Sequence, residues 1–102
     1  MGQKWVTNPD EITVGDTAVT VLGEQLGRQG FKLSVGAAGG IYYRMCDTAD
    51  GEAENADVAT SADHPLEAGG SETYIGNLTP SNRISVISQG TDTTVSISWV
   101  LA

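Results

Sequence analysis

The chain has 102 residues, 39% of them apolar, with thirteen acidic side chains against five basic ones and a net charge of −8. That length supports a single core burying roughly 60 to 68% of the unfolded chain's surface, and no apolar run approaches the roughly 18 residues of a transmembrane helix. The charge repels a phosphate backbone and an anionic lipid surface alike, which excludes nucleic acid and membrane as partners.

In chain order, residues 1–10 precede any strand-like pattern and read as an N-terminal arm. They hold no apolar core segment of a secretory signal, and because a single cysteine allows no intramolecular disulfide, folding in a reducing cytosol is expected. Residues 11–102 form one β domain. Its first strand is predicted over 11–14, and "GDT" at 15–17 turns the chain into a second run over 18–22. Ile12 and Val14 share one face, as do Val19 and Val21. "GEQLGRQG" at 23–30 has three glycines in eight residues and reads as a loop. Phe31, Leu33 and Val35 then alternate with Lys32 and Ser34 as a half-buried strand, closed by "GAAGG".

Residues 41–46 resume the pattern with apolar or aromatic side chains on both faces, as in a strand covered on both sides. Residues 47–63 carry six carboxylates and few large apolar groups, which predicts a long, solvated acidic loop. In "HPLEAGG", Pro65 cannot donate to a ladder, Leu66 can enter the core, and Gly69 and Gly70 allow the positive φ of a tight turn. The remaining strands are predicted over 72–75, 83–88 and 93–101. The last has Val95, Ile97, Trp99 and Leu101 on one face and hydroxyls on the other. No helical period persists anywhere, so the expected fold is all-β, a small antiparallel β-sandwich or jelly-roll-like barrel of about seven to eight strands. Phe31, Leu33, Val35, Val86, Val95, Ile97 and Trp99 are its expected core.

Chemistry-bearing residues are sparse. His64 is the only histidine and Cys46 the only cysteine, so neither has the like partner that a multi-histidine metal site or a disulfide needs. His64 reads as a solvated loop side chain and Cys46 as a small buried hydrophobe. Asp47, Asp50, Glu52, Glu54, Asp57 and Asp63 could offer hard oxygens to calcium, but counting from Asp47 the EF-hand ligand places hold Asp, Ala and Gly. No catalytic residue, cofactor or metal is therefore expected. Trp5 lies in the arm without periodic neighbours, and Lys4, Trp5, Val6 and Pro9 are the interface candidates, with packing of Trp5 back on its own domain as the alternative.

Taken together, "ITVGDTAVTVLG", "RQGFKLSV", "IYYRM", "HPLEAGGSETYIGNL", "RISVIS" and "TTVSISWV" resemble, in order, a group of small tailed-bacteriophage virion accessory proteins, across roughly residues 11 to 101. The best matches are Val14-Gly15-Asp16-Thr17-Ala18-Val19 and Pro65-Leu66-Glu67-Ala68-Gly69-Gly70. "GEQLGRQG", the acidic loop and the Trp99-Val-Leu-Ala ending depart from the pattern. The resemblance implies a non-enzymatic structural protein on the exterior of the virion, assembled in the host cytoplasm. It would bind the major capsid protein as a decoration or cement protein, with a homotrimer as the implied oligomer. A receptor- or carbohydrate-binding module of a tail fibre, using Tyr42, Tyr43 and Tyr74, is the alternative. A small hydrolase working through Asp50, Glu52 and Glu54 is a further rival.

Overall fold

A computed structural model describes residues 5–7, 11–47, 57–75, 79 and 81–101. They form nine strands: β1 (Trp5–Thr7), β2 (Ile12–Val14), β3 (Val19–Leu22), β4 (Arg28–Val35), β5 (Ile41–Met45), β6 (His64–Leu66), β7 (Ser71–Ile75), β8 (Ile84–Ser88) and β9 (Thr93–Leu101). All pairings are antiparallel. One sheet runs β1-β9-β4-β7, with β2 also on β9, and the other runs β3-β8-β5-β6. The small β-sandwich expected from the alternating pattern is what forms, with one strand more than the upper expectation.

Short range in sequence explains most of the elements. Inward-facing Phe31, Leu33 and Val35 alternate with outward Lys32 and Ser34, and all three inward side chains are buried. Val95 and Ile97 face them from β9, and Val14, Ile41, Tyr43, Ile84 and Val86 complete the core from both sheets. Burying each such side chain stabilises the fold by about 1.5 to 3 kcal/mol. Trp99, expected in the core, is only half-buried and packs against its rim.

Three local expectations change. β4 begins at Arg28, inside the stretch read as a loop, because the Arg28 guanidinium donates to the carbonyls of Gly23 and Asn82 and ties the glycine-rich turn to the start of β8. A single arm ahead of the sheet is replaced, over Trp5–Thr7, by β1, which pairs with β9 in register Trp5↔Val100, Val6↔Trp99 and Thr7↔Ser98. β2 takes the other half of the same β9 edge, from Ile12↔Val95 to Val14↔Thr93. Finally, His64–Leu66 is a strand rather than only a corner, paired with β5 through Ile41↔Leu66. The corner itself follows it: Gly69 has φ of 76°, and Gly70 N–H donates to Glu67 O at 2.8 Å.

Candidate functional site

The surface most distinct from a plain sandwich lies where β1 joins the sheet. Register places Trp5, Val100, Gly30 and Ile75 in one row across the outer face, from β1 through β9 and β4 to β7. Gly30 has no side chain, and that opening is occupied: a Cβ there would lie 3.0 Å from Val100 Cγ1 and 3.2 Å from Trp5 Cη2. The indole thus reaches over Val100, which is 1% exposed although it points away from the core. Trp5 itself stays 41% exposed and Val6, beside Trp99 on the inner side of the rim, 46%. Of the interface candidates, these two are placed on an edge strand at the rim, while Lys4 and Pro9 lie outside the described residues. Nothing in the local pattern flagged Val100, because it is the register with β1 that covers it.

A second cluster closes the side of the sandwich between β6 and β7. The Phe31 and Tyr74 rings stack with centroids 4.7 Å apart, and the Tyr43 and His64 rings meet edge-on at 5.1 Å. Tyr43 Oη and Tyr74 Oη are 3.2 Å apart, a hydrogen bond from one sheet to the other. Burial, then the bond to Tyr74 and the charge of Glu72, push the Tyr43 phenol well above the usual tyrosine value. With Tyr43 only 2% exposed, the three tyrosines do not make a common platform for a sugar face. His64 is exposed, as expected, although it stands on β6 rather than in a loop, and its ring is met edge-on by Tyr43.

Over residues 57–63 the acidic loop departs from the expectation of a solvated, like-charged segment. Its described second part lies over the outer face of the β5–β8 pair. Arg44 Nε donates to Asp57 Oδ1 at 2.8 Å and Arg44 Nη1 to Asp63 Oδ1 at 3.4 Å. Arg83, 1% exposed, donates through Nη2 to the Asp57 carbonyl at 2.8 Å, with Asp57 Oδ2 at 3.9 Å. Ala59 N–H donates to Ser85 Oγ at 3.0 Å, so Asp57 and Ala59 are buried too. Carboxylates that would repel one another are thereby offset by two of the five cations. The available signal was Arg44 and Arg83, charged residues inside strand patterns with no sequence neighbour to pair with. Asp50, Glu52 and Glu54, the residues of the hydrolase rival, lie outside the described residues.

Cys46 lies beneath this cover, 1% exposed. Burial pushes its thiol pKa up, against the opposite pull of Arg83 and Arg44. Such a thiol is held protonated and is a poor nucleophile. Among the described residues no three His, Cys, Asp or Glu side chains gather as metal ligands. A dent of about 250 Å³ lies at the other end of the sandwich, open to solvent and lined by Thr13, Ala37, Ala38, Asp92, Thr93 and Thr94. Its hydroxyls are partly engaged, since Thr94 Oγ1 donates to Glu11 Oε2 at 3.0 Å.

No protein-family model matches the chain, and no curated protein matches it. Among solved structures, the chain is similar to a protein of Bacillus endospore appendages, described as disulfide-linked pili. The identity is 11% and the TM-score 0.44, over 99% of this chain and 88% of that one. That likeness is too distant to carry a shared function.

Proposed function

We propose that the chain is a non-enzymatic structural protein of a phage virion, seated on the outer capsid surface as a decoration protein. The observation that carries an assembly role is the pair Trp5 and Val6, adjacent, apolar and roughly half exposed on a rim strand. Large apolar side chains left at a rim favour a partner surface, and tryptophan is the residue most enriched at the energetic centre of such contacts. The order of motifs resembling phage virion accessory proteins supports a capsid as that surface. The net charge of −8 supports the exterior of the shell over its DNA-facing interior. Arg44 and Arg83 fasten a loop, and Tyr43 and Tyr74 join the sheets, structural roles in keeping with that reading.

The test is co-sedimentation with undecorated heads of the phage whose genome encodes the chain. Wild-type protein should pellet with heads at saturable stoichiometry, and Val6→Ser should weaken binding by about 2 kcal/mol if the rim holds a hot spot. Far-UV circular dichroism of the variant separates lost binding from lost folding. Absence of binding to heads, or binding to a surface polysaccharide instead, would overturn the capsid reading.

A further inference from the structure

Every open sheet ends in strands with unpaired backbone groups, and folded proteins guard such edges with proline, bulges, charge or brevity. Four edges are open among the described residues. The β6 edge has three residues with Pro65 at its centre. The β3 edge is kinked by a register shift between Thr20 and Leu22, and the Thr20 hydroxyl is engaged by Arg83. Along β9, the register of the outer strand shifts between Thr7↔Ser98 and Ile12↔Val95. β7 differs. It is Ser-Glu-Thr-Tyr-Ile, regularly paired with β4 over its whole length, with neither proline nor bulge and with Glu72 as its one charge.

The hydrogen-bond phase of β7 can be read from its neighbour. Val35 N–H donates to Gly70 O at 2.9 Å, which turns the peptide groups of Glu72 and Tyr74 toward β4 and those of Ser71, Thr73 and Ile75 to the open edge. The side chains of those same three residues are exposed, Ile75 at 67%.

We infer that β7 is a self-association edge, pairing antiparallel with β7 of a second copy of this chain across a two-fold axis at Thr73. That register sets Thr73 opposite Thr73 and Ser71 opposite Ile75 of the other copy, so every outward N–H and C=O finds a partner. It also suits a second copy as the occupant on electrostatic grounds. Glu72, the one charge on the strand, falls opposite the phenol of Tyr74 rather than opposite its own copy, so like charges do not face across the pair. A homotrimer would need β7 to meet a different edge, and the other three are guarded. One five-residue strand pair buries less than the roughly 1,200 Å² of a stable interface, so the dimer is weak and concentration-dependent. With −8 on each copy, added salt strengthens it. This inference is independent of the capsid reading, since it concerns the isolated chain.

Sedimentation velocity on the full chain over a concentration series should show a monomer–dimer equilibrium. Ile75→Lys, at an exposed position, should weaken it by about tenfold or more without changing the circular dichroism. The register is tested by cysteine cross-linking. Residues facing each other in a hydrogen-bonded antiparallel pair have Cα atoms about 5.5 Å apart, within disulfide reach. Under mild oxidant Thr73→Cys should give a covalent dimer, and Ser71→Cys, which faces Ile75, should not; native Cys46 is buried and does not interfere. A chain that stays monomeric at all concentrations, a trimer, an Ile75→Lys variant that dimerises normally, or equal cross-linking at 71 and 73 would each overturn the inference.

Discussion

Gly30 shows how one missing side chain organises a surface. A Cβ at this position would stand 3.0 Å from the Tyr74 carbonyl, 3.0 Å from Val100 and 3.2 Å from the Trp5 ring. The Tyr74 carbonyl is backbone of the β4–β7 ladder and cannot retreat without disturbing it, while Val100 Cγ1 and the Trp5 ring are side-chain atoms that would each have to give way by a few tenths of an ångström. Gly30→Ala is therefore expected to destabilise the fold by about 1 to 3 kcal/mol, the usual cost of overpacking a closed site. Urea unfolding measures it. Repeating the substitution in a Trp5→Ala background relieves one of the three contacts and should reduce the penalty. An unchanged penalty would mean that the indole does not rest on Gly30 in solution.

At the scale of an element, the second part of the acidic loop is fastened by charge rather than by apolar burial. Arg83 is almost fully enclosed, and its contacts include both the carbonyl and the carboxylate of Asp57. Removing one partner of an enclosed ion pair leaves the other charge poorly compensated, at a cost of about 3 to 5 kcal/mol. Asp57→Ala should approach the lower part of that range, because the Asp57 carbonyl still accepts from Arg83 and water can reach the half-buried Arg44. Asp63→Ala should cost less, its bond to Arg44 being longer and nearer solvent. Chemical denaturation of the two variants gives the ranking. Reaction of Cys46 with a thiol reagent gives a local reading, since Asp57→Ala should accelerate it by loosening the cover above the thiol. If Cys46 remained as slow as in the wild type while stability fell, the loop would be held by something other than this clamp.

For the whole molecule, the joint between the two sheets matters most. Tyr43 of one sheet and Tyr74 of the other meet through their hydroxyls, behind the stack of Tyr74 on Phe31. Because the folded state raises the Tyr43 pKa above that of the unfolded chain, it favours the protonated phenol. The linked stability is fully present below the unfolded value near 10 and is lost as pH rises beyond it toward the folded value. Thermal unfolding should therefore show a falling melting temperature above about pH 10. Tyr43→Phe, which removes the titrating group, should flatten that fall while lowering stability at neutral pH by about 1 kcal/mol for the lost hydrogen bond. An equally steep alkaline decline in Tyr43→Phe would assign it to other groups.

Period-two alternation and turn chemistry, both short-range properties, were enough to determine an all-β chain and most of its strands. Phe31-Lys32-Leu33-Ser34-Val35 and Val95-Ser96-Ile97-Ser98 read directly as strands with one buried face, because a pleated backbone sends successive side chains to opposite sides. Gly69 marked its turn because only a residue without Cβ adopts positive φ cheaply. The sequence also contained Cys46 as a buried residue and His64 as an exposed one. What it could not determine was who pairs with whom. Thr7 and Ser98 share a hydrogen bond 91 positions apart, and no local signal says that β1 will lie on β9. That pairing alone covers Val100, rests Trp5 on Gly30 and leaves Trp99 at the rim. The clamp on the acidic loop is of the same kind: six carboxylates in one segment predict repulsion until the fold brings Arg44 and Arg83 beneath them. Tertiary structure decided these features because burial and charge compensation depend on distance in space, and in a sandwich the nearest neighbours are seldom near in sequence.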